Sequence, residues 1–134
     1  MQTARITGQA STLLTADFSR ARHFWTEVAG FETVGLWGEP PDFGIFSRDG
    51  AFIMVGVATK RKPPKPVFEF RPGLWNAYFW VDDARAMFAE LSGRGATIDY
   101  DLCEQPYGVL EFGVRDADGH DIGFGQVLPE AGHS

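Results

Sequence analysis

Apolar positions along this chain fall into the same series twice. Ile6 to Thr15 reads as a first strand. Asp17 then stands where a helix N-cap is wanted, because its carboxylate can accept from the backbone amides of the first turn. Phe18, Ala21, Trp25 and Val28 follow at helical spacing, and Gly30 stops the run. Phe31 to Leu36 is extended, and Gly38 to Asp42 is a breaker-rich loop. Phe43 to Ser47 and Ala51 to Ala58 are strands joined at Asp49-Gly50, a hairpin-turn pair.

After Thr59 the pattern is interrupted. Lys60, Arg61, Lys62 and Lys65 are interleaved with Pro63, Pro64 and Pro66, and Pro72-Gly73 closes the stretch. This composition predicts a semi-rigid, solvated linker over 59–73. The series then restarts. Trp75 to Val81 reads as a strand, Asp82 or Asp83 as an N-cap, and Ala84, Met87, Phe88 and Leu91 as a helical stripe ended by Gly93 and Gly95. Ala96 to Tyr100 is a strand and Asp101 to Gly108 a loop. Val109 to Val114 and Asp121 to Gln126 form a hairpin around Asp116-Ala117-Asp118-Gly119.

Each half is thus strand, helix, three strands. Ile53 and Ile122 are 69 residues apart, and the two helix caps 65 or 66. That is an internal duplication. It predicts one α+β domain over 1–134, with module one at about 5–58 and module two at about 74–127. The expected architecture is two tandem βαβββ modules making an incomplete barrel around a cleft.

The duplication and the stretch from Glu104 to Gln126, a strand followed by Asp-x-Asp-Gly-x-x-Ile and a closing strand, resemble the vicinal-oxygen-chelate superfamily. That group includes glyoxalases, extradiol dioxygenases and bleomycin-resistance proteins, and the run from Glu104 through Phe112 to Asp116 is most similar to the bleomycin-resistance branch. The resemblance implies a homodimer. It also implies, for the enzymes, a divalent metal held by His, Glu or Gln on the first and last strands of each half. Turn and cap landmarks put those positions at Ala10, Met54, Asn76 and Gly123. Three of the four cannot hold a hard cation, and Asn is a weak ligand. His23, His120 and His133 have no spacing that pairs them on a metal. No metal and no cofactor are therefore expected, and no catalytic residue is assigned.

Alternation along the strands sorts residues into two faces. Leu13, Thr15, Ile53, Val55, Ala77, Phe79, Val81, Ile122 and Phe124 make an apolar set suited to pack beneath helices. The opposite set holds Phe52, Met54, Asn76, Tyr78, Trp80, Asp121 and Gly123, aromatics beside glycine gaps with a few polar tips. Such surfaces suit small molecules; they suit packing against a second subunit as well. Trp37, Phe43, Phe46, Trp75 and Tyr107 lie in or beside loops and strand ends, where rings can stack on a planar or cationic ligand. Tyr78, Asp121, Glu104 and Glu111 are the candidates for metal-free acid–base chemistry, although the alternation does not settle the face of Glu111.

Composition narrows the classes. The formal net charge is −6, which argues against nucleic acid and is compatible with steering of cationic ligands. Cys103 is the single cysteine, so no disulfide framework can form within the chain, in keeping with a cytoplasmic location. No run of about 18 apolar residues offers a membrane span, and the first residues lack the features of a secretory signal. The expected function is metal-free binding of an aromatic or cationic small molecule in an aromatic-lined cleft. The alternatives are a divergent lyase, isomerase or dioxygenase-like enzyme of the same superfamily, or a regulatory protein whose aromatic face is covered by a partner.

Overall fold

A computed structural model describes residues 3–58 and 75–129; the expected linker and His133 lie outside them. Module one comprises β1 (Ala10–Thr15), α1 (Phe18–His23) with a π-helical continuation Phe24–Val28, β2 (Glu32–Trp37), β3 (Phe43–Arg48) and β4 (Ala51–Val57). Module two comprises β5 (Ala77–Trp80), α2 (Ala84–Gly93), β6 (Thr97–Gln105), β7 (Val109–Arg115) and β8 (Asp121–Val127). Each forms a four-stranded mixed sheet, ordered β1-β4-β3-β2 and β5-β8-β7-β6, and among the described residues no strand pairing joins the two sheets into a closed barrel.

The duplication is visible in register. Leu13 on β1 lies opposite Val55 on the parallel strand β4, and Phe79 on β5 lies opposite Phe124 on β8. Both helices start on the expected acid: Asp17 accepts from the amide of Arg20 and Asp83 from that of Ala86. Most boundaries differ by a residue or so, and three differ by more. The first strand begins at Ala10, since residues 4–9 are exposed and have no partner strand in the register. The fifth spans only Ala77–Trp80. The sixth runs to Gln105, where a loop over 101–108 was expected, because Leu102 packs on the core and keeps the strand going.

The helix-facing set is the core. Leu13, Ile53, Val55, Ala77, Ile122 and Phe124 are buried, and a single cluster spans both modules. Trp25 and Phe31 of module one meet Phe79 of module two edge-on, at centroid distances of 6.3 and 5.7 Å. Phe79, Phe124 and Phe112 continue the row as stacked pairs at 5.4 and 5.2 Å. Polar ties brace the seam: Arg48 donates two bonds to the Glu90 carboxylate at 2.8 and 2.7 Å, and the amide of Ala16 donates to Asp118 at 2.9 Å. The Arg48 guanidinium holds the Glu90 carboxyl below the ordinary carboxylate range.

A candidate binding face

With the helices covering one side of each sheet, the opposite side is open. On the second sheet, Glu111, Gly113 and Arg115 of β7 stand directly across from Gly125, Gly123 and Asp121 of β8. Tyr78 and Trp80 of β5 flank Gly123 and Gly125. Tyr100 and Cys103 of β6 flank Gly113 and Glu111. The centre is therefore a floor of three glycines, and aromatic rings lie across it. A Cβ at Gly123 would come within 2.6 Å of Tyr78 and 2.7 Å of Trp75; at Gly113 it would meet the ring of Tyr100, and at Gly125 the hydroxyl of Tyr78. In the single chain the space beside Gly123 is thus occupied by Trp75 and Tyr78. Trp75, Tyr78 and Trp80 form a chain of edge-on rings at 4.6 and 4.8 Å.

The rings are held by one carboxylate. Glu111 is 1% exposed. Tyr78 donates to its Oε1 at 2.8 Å, while Tyr100 and Tyr107 donate to Oε2 at 3.0 and 2.9 Å, and the Gln105 amide reaches Oε2 at 3.4 Å. Trp75 Nε1 donates to the Tyr100 hydroxyl at 2.9 Å. These are all three tyrosines of the chain. A buried carboxylate is tolerated when its lone pairs are filled by donors, and charge-assisted O–H···O⁻ bonds are the strong ones. Desolvation and the adjoining carboxylate push the phenols up, Tyr107 to about 12 and Tyr78 and Tyr100 further, so all three stay protonated near neutral pH.

The first sheet carries the remaining candidates. Met54 lies between Thr12 and Ile45, Phe52 between Ala10 and Ser47, and Phe43 beside Gly56. Trp37 folds over Gly35 and tilts against Phe43 at 5.6 Å. This face is apolar, with Leu14 and Trp37 each 50% exposed and Phe52 36%. On the second sheet Trp80 is 65% and Tyr107 61% exposed. Hence Trp37, Phe43, Phe52 and Met54 fall on one sheet, and Asn76, Tyr78, Trp80, Tyr107, Asp121 and Gly123 belong to the other. A separate cleft of about 540 Å³, beside α1 and the ends of β6 and β7, is lined by Arg20, His23, Phe24 and Arg115, among others, and contains none of these residues.

The residues at the four positions that the resemblance implies for a metal do not suit a hard cation. Ala10 and Gly123 offer no donor atom, Met54 a soft thioether and Asn76 an amide. Asp116, Asp118 and His120 bring ligand-type atoms within 4.8 Å of one another, but as a closed turn. Asp116 accepts from the amides of Asp118 and His120 and from the buried His120 ring at 2.8 Å, and Asp118 is taken up by Ala16.

The pattern of Leu110, Phe112 and Val114 against Glu111, Gly113 and Arg115 fixes the face that sequence alternation left open: the apolar set is core, so Glu111 turns to the open side. Tyr100, Gln105 and Asp99 are not among the expected site residues. Two irregularities in β6, between Ile98 and Tyr100 and between Tyr100 and Cys103, put consecutive residues on the open side where strict alternation would separate them. The glycine floor gives a direct test. Gly125→Ala is expected to dislodge Tyr78 from Glu111 and cost about 2 kcal/mol by urea denaturation, whereas Gly93→Ala, with open space at the Cβ, should cost nothing.

The Glyoxalase/Bleomycin resistance protein/Dioxygenase superfamily matches residues 6–124. No curated protein matches the sequence significantly. Among solved structures, TioX from Micromonospora sp. ML1 is 21% identical with a TM-score of 0.72, covering 91% of this chain and 99% of that one. TnmS3, an antibiotic binding protein from Streptomyces sp. CB03234, is 21% identical with a TM-score of 0.71, covering 94% and 99%. The bleomycin-binding protein of bleomycin-producing Streptomyces verticillus, complexed with copper(II)-bleomycin, is 20% identical with a TM-score of 0.65, covering 96% and 100%. At these identities the structures speak to fold, and with the match over nearly the whole sequence they lead to one assignment: this chain belongs to the glyoxalase/bleomycin resistance protein/dioxygenase superfamily.

Proposed function

We propose that this protein is a metal-free small-molecule binder of the bleomycin-resistance type, acting as a homodimer in which the open sheet faces combine to enclose an aromatic or cationic compound. The observation that carries this reading is the pairing of exposed rings with a preorganised floor. Trp80 and Tyr107 protrude from a surface whose underlying rings are locked by Glu111, and Trp37, Phe52 and Leu14 protrude from an apolar one. Large apolar side chains left in water in such groups mark a binding surface or a subunit interface. Rigid aromatics also bind flat ligands at low entropic cost. Two of the similar structures belong to proteins named for antibiotic or bleomycin binding, which supports the same class of ligand. Trp75 and Tyr78 would then serve as the stacking surface.

The test combines mass with binding. Sedimentation is expected to give twice the chain mass. Bleomycin, metal-free and copper-loaded, and planar aromatic cations are expected to quench tryptophan fluorescence saturably, with Trp80→Ala weakening binding by about tenfold, as for loss of one stacked ring. A monomer that responds to none of them refutes the reading. Elemental analysis separates it from the enzymatic alternatives: stoichiometric transition metal in the purified protein would favour those instead.

A further inference from the structure

We infer that Asp99 and Asp121, set against the single guanidinium of Arg115, form a subsite for the ammonium or guanidinium group of a ligand whose flat part lies on Trp75, Tyr78 and Trp80. The inference rests on the binding reading above and names the chemistry of one end of the ligand.

The irregularity in β6 turns Asp99 toward the β7–β8 end of the open face, beside Tyr100. There Arg115 directs both Nε and Nη2 to one oxygen of Asp99, at 3.2 and 3.0 Å. Asp121, directly across from Arg115 in the ladder, is left over. Its Oδ1 is 3.7 Å from Arg115 Nε, too far for a hydrogen bond, and accepts none from the described residues although it is shielded from water. The residue is 8% exposed. Two carboxylates therefore share one guanidinium, and one buried oxygen has no donor. A buried carboxylate oxygen without a donor is costly. A buried oxygen that the fold leaves without a donor points to a donor from outside.

The electrostatics agree. Burial, then a hydrogen bond to the Asp99 carboxyl and repulsion from its charge, push the Asp121 carboxyl up to about 6, while Arg115 and His120 pull it down. Those are the charged or titratable groups facing it from β6, β7 and the β7–β8 turn; just before β5, the backbone amide of Asn76 donates to the Asp121 carbonyl at 2.9 Å. The Asp99 side chain is 20% exposed and opens the pair to solvent. A ligand cation entering beside Asp99 takes the place that a proton takes in acid. Gly123 lies two residues along β8 from Asp121 on the same face, about 7 Å at the rise of a strand. That span suits an aromatic ring carrying its cation on a short alkyl arm.

Matched probes decide it: 2-(1-naphthyl)ethylamine, cationic at neutral pH, and the neutral 2-(1-naphthyl)ethanol, each titrated calorimetrically into the whole protein. At pH 7.5 the amine is expected to bind about tenfold more tightly, as for one hydrogen-bonded charge pair. That preference should vanish in Asp121→Asn, fall in Asp99→Asn, and shrink at pH 5. Asp121→Asn has a second readout. A carboxyl raised to about 6 makes its fullest contribution to stability in acid and loses it as pH rises through 6. The Asn variant should therefore be more stable than the parent at pH 7.5 and no more stable at pH 4. Equal binding of amine and alcohol, or a preference that survives in Asp121→Asn, overturns the subsite while leaving the binding reading intact. Failure of both probes also overturns the subsite, and the bleomycin and aromatic-cation titrations then decide the broader reading separately.

Discussion

Glu111→Ala is expected to lower the unfolding free energy by about 3–5 kcal/mol, among the largest effects of any single substitution outside the apolar core. The loss comes from the stranded donors and not from the carboxylate alone. Removing Glu111 leaves the hydroxyls of Tyr78 and Tyr100 pointed into a half-buried space with no acceptor, and the Gln105 amide with them. Tyr107 is exposed enough to find water instead. Each stranded hydroxyl costs about 1–3 kcal/mol, and the bonds lost were charge-assisted. A shape-conserving Glu111→Leu should fare little better, since the donors remain. Glu111→Gln is the informative control. Its carbonyl can still accept from one side, but its amide faces a phenol on the other, so about 1–2 kcal/mol is expected. Equilibrium urea denaturation of the three variants checks the order. If Ala and Gln are equally mild, the phenols are being satisfied by water, and the network does not hold the rings. Because the same network positions Tyr78 and, through Tyr100, Trp75, Glu111→Gln should also weaken aromatic ligands more than its stability loss alone would suggest.

The contrast between what could and could not be read from the sequence follows from this network. The architecture was legible because it repeats: Asp17 and Asp83 cap equivalent helices, and Ile53 and Ile122 sit at equivalent core positions. Strand alternation identified the buried side and hence, by exclusion, Tyr78, Trp80, Asp121 and Gly123 on the open one. It failed where the period of two fails. Asp99 and Tyr100 are consecutive residues that both reach open-side partners, because the strand carries an extra residue there. Glu111 posed the opposite difficulty. Its period was readable, but a charged residue in an apolar run gives no sign of three phenol donors arriving from positions 4 to 33 residues away. Glycine gaps suggested room for a ligand; the structure fills them with rings from the same chain, an outcome that depends on which long-range neighbours the fold supplies. The Asp99–Arg115–Asp121 group is not legible in the sequence for the same reason: its members come from three strands and are assembled only by the ladder.

Alkaline pH should unfold this protein through those phenols. The folded state holds all three tyrosines above their ordinary value of 10, Tyr107 at about 12 and the others higher, by desolvation and by the Glu111 carboxylate they donate to. The sign is set by the unfolded chain, where they titrate near 10. Below pH 10 both states bind the same protons, and the stabilisation is complete. Above it the unfolded state releases protons that the folded state keeps, so stability falls as pH rises toward and through the folded values. At pH 11 an unfolded tyrosine gains about 1.4 kcal/mol from ionising, so Tyr78 and Tyr100 together remove about 3 kcal/mol; exposed Tyr107 removes less. A single domain has about 5–15 kcal/mol to lose, so a steep fall in melting temperature between pH 10 and 12 is expected. Tyrosinate absorbance near 295 nm should then rise together with loss of the far-ultraviolet circular dichroism signal, as one cooperative event. Three independent titrations with midpoints near 10 in a still-folded protein would contradict it. Glu111→Gln supplies the internal comparison: with the negative charge gone, the phenols of the folded variant should ionise at lower pH than in the parent, even where the variant starts out less stable.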